Sequence, residues 1–181
     1  MKCAAVLAFF VVLTGGPWLS SCRTVGDPQQ HDRYLNLRNR ALQGSRTKLG
    51  LPAPSDSTQP WGVVIDFRSR IDVLYTVTAL SNGTAAVYVS SGPDPEALAP
   101  QETIHKAAKG TVIVAGELQS QMHKTTKYPL PGHVDEVVFY TLADNGVYIA
   151  IAAKEDLENN RHPLSKLWNS AVDLSRLFGW H

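Results

Sequence analysis

Residues 135–153 read DEVVFYTLADNGVYIAIAA and contain a clear pattern of two strands joined by a turn. Aliphatic, β-branched and aromatic residues fill both sides of Asp144-Asn145-Gly146, and such residues are enriched in strands. Because Asn-Gly tolerates the positive φ angles of a type I′ turn, the sequence predicts a β-hairpin here. Its two strands are expected over residues 135–142 and 147–153.

An earlier segment of the chain repeats this pattern. Strands are predicted over residues 73–80 and 84–90, on either side of a second turn, Ser81-Asn82-Gly83. Another strand begins near Trp61, because apolar side chains recur at every second position over residues 63–67. The chain therefore supplies five strands, most of which should pair in antiparallel fashion.

Each hairpin is followed by a helix pattern with one apolar face. The second helix begins near Leu164, after Pro163, and ends at Gly179. Residues 61–181 therefore predict an α+β domain with a five-stranded, mostly antiparallel sheet and two helices in the order β-ββα-ββα. The first helix begins near Gln101, and its apolar face comprises Ile104, Ala108, Val112, Ala115 and either Leu118 or Met122.

This order of elements is broadly similar to that of profilin-like and roadblock-like domains, which pair a five-stranded antiparallel sheet with helices. The resemblance implies helices that cover one or both faces of the sheet. It extends to element order alone, so it implies a fold and no function.

The first 17 residues have the parts of an export signal. Lys2 supplies a positive charge, residues 3–13 are an uncharged apolar run, and Thr14-Gly15-Gly16-Pro17 ends the helix of this run before the cleavage region. A run of 11 residues is too short to span a bilayer, which needs roughly 20. An ordinary secretory signal and an uncleaved N-terminal helix stay open as alternatives.

The segment Leu19-Ser20-Ser21-Cys22 resembles the lipobox of bacterial lipoproteins. The resemblance implies that residues 1–21 are a signal peptide and are removed. The Cys22 thiol would then take a diacylglyceryl group through a thioether, and its freed amine would be acylated. Two or three acyl chains would anchor the protein to membrane lipid almost irreversibly.

The same resemblance implies a bacterial cell-envelope location. In bacteria with an outer membrane, an Asp directly after the lipidated Cys resembles a signal for retention in the inner membrane. This chain has Arg23 at that position, which favours the outer membrane, on its periplasmic or surface face. Cys3 would leave with the signal peptide and Cys22 would carry the lipid, so the chain's two cysteines would form no disulfide and no metal site.

Residues 22–60 are predicted to form a flexible basic tether between the anchor and the domain. Between Arg23 and Gln59 there are six basic and three acidic residues, together with several Pro, Ser and Gln residues. A short helix over residues 31–43 is an alternative within this segment. The basic residues either contact anionic head groups or stay solvated, and the solvated spacer is the preferred interpretation.

The remaining chain carries no recognisable catalytic, cofactor-binding or metal-ligand motif. The net charge of +1 gives no reason to expect nucleic acid as a partner. The six histidines include no pair with metal-ligand spacing, and no nucleophile elbow or phosphate-binding loop is present. Asp66 is the single acid in an apolar strand, where it either is buried with a raised pKa or faces solvent.

These patterns predict a binding or interaction domain that engages an envelope protein or polymer. An envelope hydrolase that uses Asp66, His105 and His133 is one alternative, and a structural spacer is another. A hydrolase requires a pocket that holds at least two of these side chains within hydrogen-bond reach. A binding domain instead requires an exposed apolar patch or an unpaired edge strand.

Overall fold

The computed structural model describes residues 28–69 and 73–180. The predicted signal peptide and Cys22 lie outside the described residues. None of the described helices is both long enough and apolar enough to cross a membrane. The strands are β1 (Gly62–Arg68), β2 (Leu74–Leu80), β3 (Ala85–Val89), β4 (His123–Thr125), β5 (Glu136–Ala143) and β6 (Gly146–Ala153), and the α-helices are α1 (Pro28–Gln43), α2 (Gln101–Leu118), α3 (Lys154–Glu158) and α4 (Ser165–Arg176).

The strands form one antiparallel sheet in the order β3-β2-β1-β5-β6-β4. β1 lies near the middle, and its Ile65 faces Val77 of β2 on one side and Phe139 of β5 on the other. The α+β class and the antiparallel sheet are thus confirmed. Among the described residues there are six strands and four α-helices, so the predicted five strands and two helices are wrong in number.

The additional elements carry little apolar periodicity. β4 contains only three residues, His-Lys-Thr, and it exists because it pairs with β6 at the edge of the sheet. α3 is a helix of five residues that buries only Leu157. Tertiary contacts rather than local pattern therefore decide both elements.

Both hairpins form where the sequence predicts them, but the type I′ geometry is wrong. A type I′ turn needs positive φ at both central residues. Gly83 and Gly146 have φ values of 96° and 133°, whereas Asn160 is the only described non-glycine residue with positive φ. In the first turn, the Asn82 side chain instead accepts a hydrogen bond from the Thr84 amide at 2.9 Å. Glycine alone therefore supplies the unusual backbone conformation.

One face of the sheet is covered by α2 and α4. The predicted apolar face of α2 is confirmed, since Ile104, Ala108, Val112 and Ala115 are all buried. At the end of the chain, the Trp180 ring lies 5.2 Å from the Phe67 ring and closes the edge of this core. The core on this face contains Val63, Ile65, Phe67, Val77, Val137, Phe139, Leu167, Trp168 and Leu174, among others.

The opposite face of the sheet is covered by α1, which corrects the predicted tether. Tyr34 and Leu42 are 0% and 2% exposed, so residues 28–60 belong to the folded unit rather than to a flexible spacer. The sequence conceals this because α1 buries one residue per turn, and the middle one of the three is Arg38. Residues 22–27 of the predicted tether lie outside the described part of the chain.

Candidate functional site

Asp66, the acid singled out in the sequence, is fully buried between β1 and α1. Arg38 donates a hydrogen bond from Nε to Oδ2 of Asp66 at 2.7 Å. The Thr76 hydroxyl donates to Oδ1 at 2.6 Å, and the Tyr34 hydroxyl in turn donates to Thr76 at 2.9 Å. Both carboxylate oxygens therefore have partners within the protein.

Arg38 also has several partners, and its side chain is 3% exposed. Nη2 donates to the carbonyl oxygens of Pro129 and Tyr128 at 2.9 and 3.2 Å and to the Tyr140 hydroxyl at 3.3 Å. The Tyr140 hydroxyl donates to the same Pro129 oxygen. This network joins α1 to β1, β5 and the segment before β5, so it is an internal structural connection.

The ionisation of this network is set by burial and by the charge pair. Burial raises the pKa of the Asp66 carboxyl, and the charge and hydrogen bond of Arg38 oppose that rise. Burial also raises the pKa of Tyr34 and of Tyr140, and the nearby Asp66 charge adds to the effect. The two phenols therefore remain neutral hydrogen-bond donors.

His105 and His133 do not join Asp66. His105 belongs to α2, on the face of the sheet opposite α1, where it packs against the β2–β3 turn. A Cβ added to Gly83 of that turn would lie only 2.9 Å from the Cβ of His105. His133 is exposed in the segment between β4 and β5. Within the described ranges, no three His, Cys, Asp or Glu side chains are gathered closely enough to hold a metal ion.

A groove of about 740 Å³ lies beside α2. It lies at the end of the sheet where β1 begins, between the C-terminal half of α2, residues 58–60 and Tyr148 of β6. This volume is within the range of ligand pockets. Five apolar or aromatic side chains line it, namely Pro60, Val112, Ile113, Met122 and Tyr148. We call this feature the α2 groove.

The walls of the α2 groove are fixed by hydrogen bonds. Nε2 of Gln119 donates to the Thr58 carbonyl oxygen at 2.9 Å, and the Asn145 amide donates to the Ser57 carbonyl oxygen at 3.1 Å. The Thr58 amide and hydroxyl both donate to the Asp56 carboxylate at 2.8 Å, and these two bonds lower the pKa of Asp56. The loop is therefore held against α2 in a defined position.

A glycine on α2 keeps the α2 groove open. A Cβ at Gly116 would lie 3.5 Å from Cδ of Pro60, so a larger side chain there would project into the space between helix and loop. Ile113, one turn earlier on the helix, is 64% exposed. Exposure of a large aliphatic side chain inside a concave feature is typical of a binding site.

The polar side chains of the α2 groove carry positive but no negative charge. None of the 12 residues that line it is acidic. Lys109 lies at its rim and has no ion-pair partner among the described residues. Nζ of Lys124 lies 5.6 Å from the centroid of the Tyr148 ring. Oε1 of Gln119 is buried and has no hydrogen-bond partner in the described structure.

Sequence reasoning missed this site for two reasons. The loop that forms one wall was included in the predicted tether, so nothing connected Thr58 or Pro60 with α2. The one available signal was Ile113, which is apolar but lies beside the predicted buried face of the helix. Its exposure, and with it the apolar surface that it adds to the α2 groove, is visible only in the structure.

No protein-family model, no curated protein and no solved structure matches this chain. The resemblance to profilin-like and roadblock-like element order therefore stays a prediction.

Proposed function

We propose that this chain is a lipid-anchored protein of the bacterial cell envelope whose α+β domain binds a ligand in the α2 groove. The observation that carries the binding proposal is this preformed, mostly apolar groove with Ile113 exposed inside it. The lipobox-like segment that ends at Cys22 supports the anchor. The outer membrane is the favoured location because Arg23 follows Cys22.

A lipid on Cys22 would hold the domain close to the membrane. Six Cα–Cα steps separate Cys22 from Pro28, where α1 begins, so the link spans at most about 20 Å. A flexible tether of residues 22–60 would have allowed an average reach of about 35 Å. The packed α1 helix would therefore hold the start of the domain closer to the membrane than a flexible tether of residues 22–60 would.

The basic residues of this segment give limited support for direct contact with head groups. Arg38 is buried against Asp66, and Arg33 and Arg46 form ion pairs with Asp94 and Asp144. Half of the six basic residues in the segment are thus engaged within the domain. The proposed attachment rests on the lipid rather than on charge.

The geometry gives no comparable support to the hydrolase alternative. Asp66 is enclosed by Arg38 and Thr76, and His105 lies on the other side of the sheet. The α2 groove contains none of the three proposed catalytic residues. The spacer alternative predicts that an unrelated domain anchored through Cys22 could replace residues 61–181 in the cell.

The anchor is tested by measuring the intact mass of the N-terminal peptide from membrane-expressed protein. We expect a peptide that begins at Cys22 and carries a diacylglyceryl group, and we expect it to disappear in a Cys22→Ser variant. An unmodified peptide, or one that begins elsewhere, would refute the anchor and leave the groove proposal unaffected.

The groove is tested by placing a photoreactive amino acid at position 113 of the full chain in cells. Position 151 is the matched control, because Ile151 is also an exposed isoleucine, 49% exposed, and lies on β6. We expect a discrete product from position 113 that is absent from position 151 and lost when Gly116→Leu fills the α2 groove. Equal labelling at both positions would argue against a specific site.

A further inference from the structure

We infer that the ligand of the α2 groove is a fatty carboxylate, with its hydrocarbon chain on the apolar lining and its carboxylate at Lys109. This inference rests on the proposed binding function and specifies its ligand. It combines three observations: the shape and apolarity of the groove, the sign of its charge, and the pairing of its backbone groups.

The apolar surface of the α2 groove suits a flexible unbranched chain. Val112 and Met122 form part of its lining, and Ile113 and Tyr148 extend the apolar surface toward solvent. The groove is open along the helix and is not a closed cavity, so a ligand can lie lengthwise with one end near the rim. Burial of such surface is favourable in proportion to its area and needs no directional partner.

The charge at the rim favours an anionic head group. Lys109 has no carboxylate partner among the described residues, whereas Lys166, on neighbouring α4, is paired with Glu117. No lining residue carries a negative charge, and Lys124 adds a second cation next to Tyr148. A carboxylate beside Lys109 would complete a charge-assisted hydrogen bond at the edge of a low-dielectric surface.

The pairing of the groove's backbone groups disfavours a peptide. The Thr58 carbonyl oxygen accepts from Gln119, and the Gln59 amide donates to the Asp56 carbonyl oxygen. The Ser81 amide donates to the Trp61 carbonyl oxygen. A peptide carries a donor and an acceptor in nearly every residue, and these three backbone groups of the groove already have partners. A hydrocarbon chain has no such requirement.

The test uses the full chain in phosphatidylcholine nanodiscs and the fluorescent fatty carboxylate dansyl-undecanoate, with empty nanodiscs as the blank. We expect saturable binding of one probe per chain and its displacement by unlabelled dodecanoate. Lys109→Met should weaken dodecanoate binding about tenfold. Methyl dodecanoate, which has no charge, should bind the parent protein about tenfold more weakly than dodecanoate and bind Lys109→Met no more weakly than the parent.

Two glycine variants on α2 provide the matched control. Gly116→Leu fills the α2 groove and should reduce binding at least tenfold, whereas Gly110→Leu lies outside the lining and should change it less than twofold. Circular dichroism establishes whether both glycine variants are folded. If Gly116→Leu does not fold, the surface variant Lys109→Met still tests the inference. Binding no greater than that of empty nanodiscs, or equal binding of acid and ester, overturns the inference. If position 113 still gives its specific cross-link but dodecanoate fails to bind, the fatty carboxylate is excluded as the ligand and the proposed binding function stands. A peptide identified in that cross-link would then replace the fatty carboxylate as the ligand.

Discussion

Replacing Arg38 with methionine tests whether a buried ion pair holds α1 on the sheet. The guanidinium lies 2.7 Å from the Asp66 carboxylate and donates at 2.9 Å to the Pro129 carbonyl oxygen. Methionine preserves the apolar stem and removes the charge, so Asp66 would remain buried without a cation. Removing one partner of a buried pair destabilises proteins by about 3–5 kcal/mol, and we expect a loss of about 4 kcal/mol.

The assay is urea unfolding of the full chain, followed by tryptophan fluorescence and compared with two further variants. Arg40→Met changes an exposed residue of the same helix, and we expect its free energy of unfolding to stay within about 0.5 kcal/mol of the parent. Arg38→Met combined with Asp66→Leu removes both charges. The double variant should recover at least about 2 kcal/mol of the loss, because a buried pair replaced as a unit is often nearly neutral.

The pH dependence of the Arg38→Met loss follows from the direction of the Asp66 shift. Burial raises the pKa of Asp66 in the folded protein, and Arg38 opposes the rise. Without Arg38 the folded-state pKa lies higher still, so the folded variant binds a proton that the unfolded chain has already released. The stability that this proton contributes is fully present below the pKa of Asp66 in the unfolded chain. It is lost as the pH rises through the pKa of Asp66 in the folded variant. The deficit of Arg38→Met should therefore be smaller at pH 4 than at pH 8.

Two results would refute this reasoning. A loss below about 1 kcal/mol for Arg38→Met at pH 8 would mean that the pair does not hold α1 on the sheet. A deficit that grows as the pH falls would mean that Asp66 does not carry the buried charge. In either case other contacts would have to retain α1 on the sheet, such as the burial of Tyr34 and Leu42 and the ion pairs of Arg33 and Arg46.

Three further predictions concern the turns, α2 and the loop of the α2 groove. Gly83→Ala should lower the free energy of unfolding by about 2 kcal/mol in urea, because φ is 96° there and the added Cβ would meet His105. Gly110→Ala should raise it by about 0.8 kcal/mol in the same assay, since the site is inside a helix and has open space around it. Thr58→Val should raise the pKa of Asp56 in an NMR titration, because the Thr58 hydroxyl is one of the two groups that lower this pKa. The stability that these hydrogen bonds contribute is lost as the pH falls through the pKa of Asp56 in the folded protein.

Most of the sheet was predictable because the ends of its strands are marked in the sequence by turn residues. Asn-Gly turns separate runs of apolar residues in both hairpins, and the apolar face of α2 is visible at a period of three to four residues. β4 was not predictable in the same way, because His-Lys-Thr becomes a strand only through pairing with β6. Likewise the type of the first turn depends on the Asn82 side chain, which accepts a hydrogen bond from the Thr84 backbone amide, and the Asn-Gly dipeptide alone does not indicate this contact.

The position of α1 was concealed by the chemistry of its buried face. An apolar residue at position 38 would have completed a conventional helix face with Tyr34 and Leu42, and the segment would have been assigned to the core. An arginine there is typical of a solvated surface until its partner is known. That partner, Asp66, was identified in the sequence as an unusual acid, but nothing in a single sequence connects two residues 28 positions apart. The burial of Arg38 and the burial of Asp66 are both explained by the ion pair between them.

The course of α1 across the sheet also determines where the α2 groove lies relative to the anchor. Arg33, in the first half of α1, forms an ion pair with Asp94. The Asp94 carboxylate also accepts a hydrogen bond from the backbone amide of Val89, the last residue of β3, so α1 begins near that end of the sheet. The segment after the helix reaches Asp144, at the end of the sheet where β1 begins. The α2 groove lies at that second end and on the opposite face, about one strand length, or roughly 20 Å, from the start of α1. A lipid on Cys22 would therefore fix the end of the domain that is remote from the groove. A fatty carboxylate in the groove would then reach it from the aqueous side of the envelope, which suits a protein that receives or delivers such a ligand better than one that takes it directly from the anchoring bilayer.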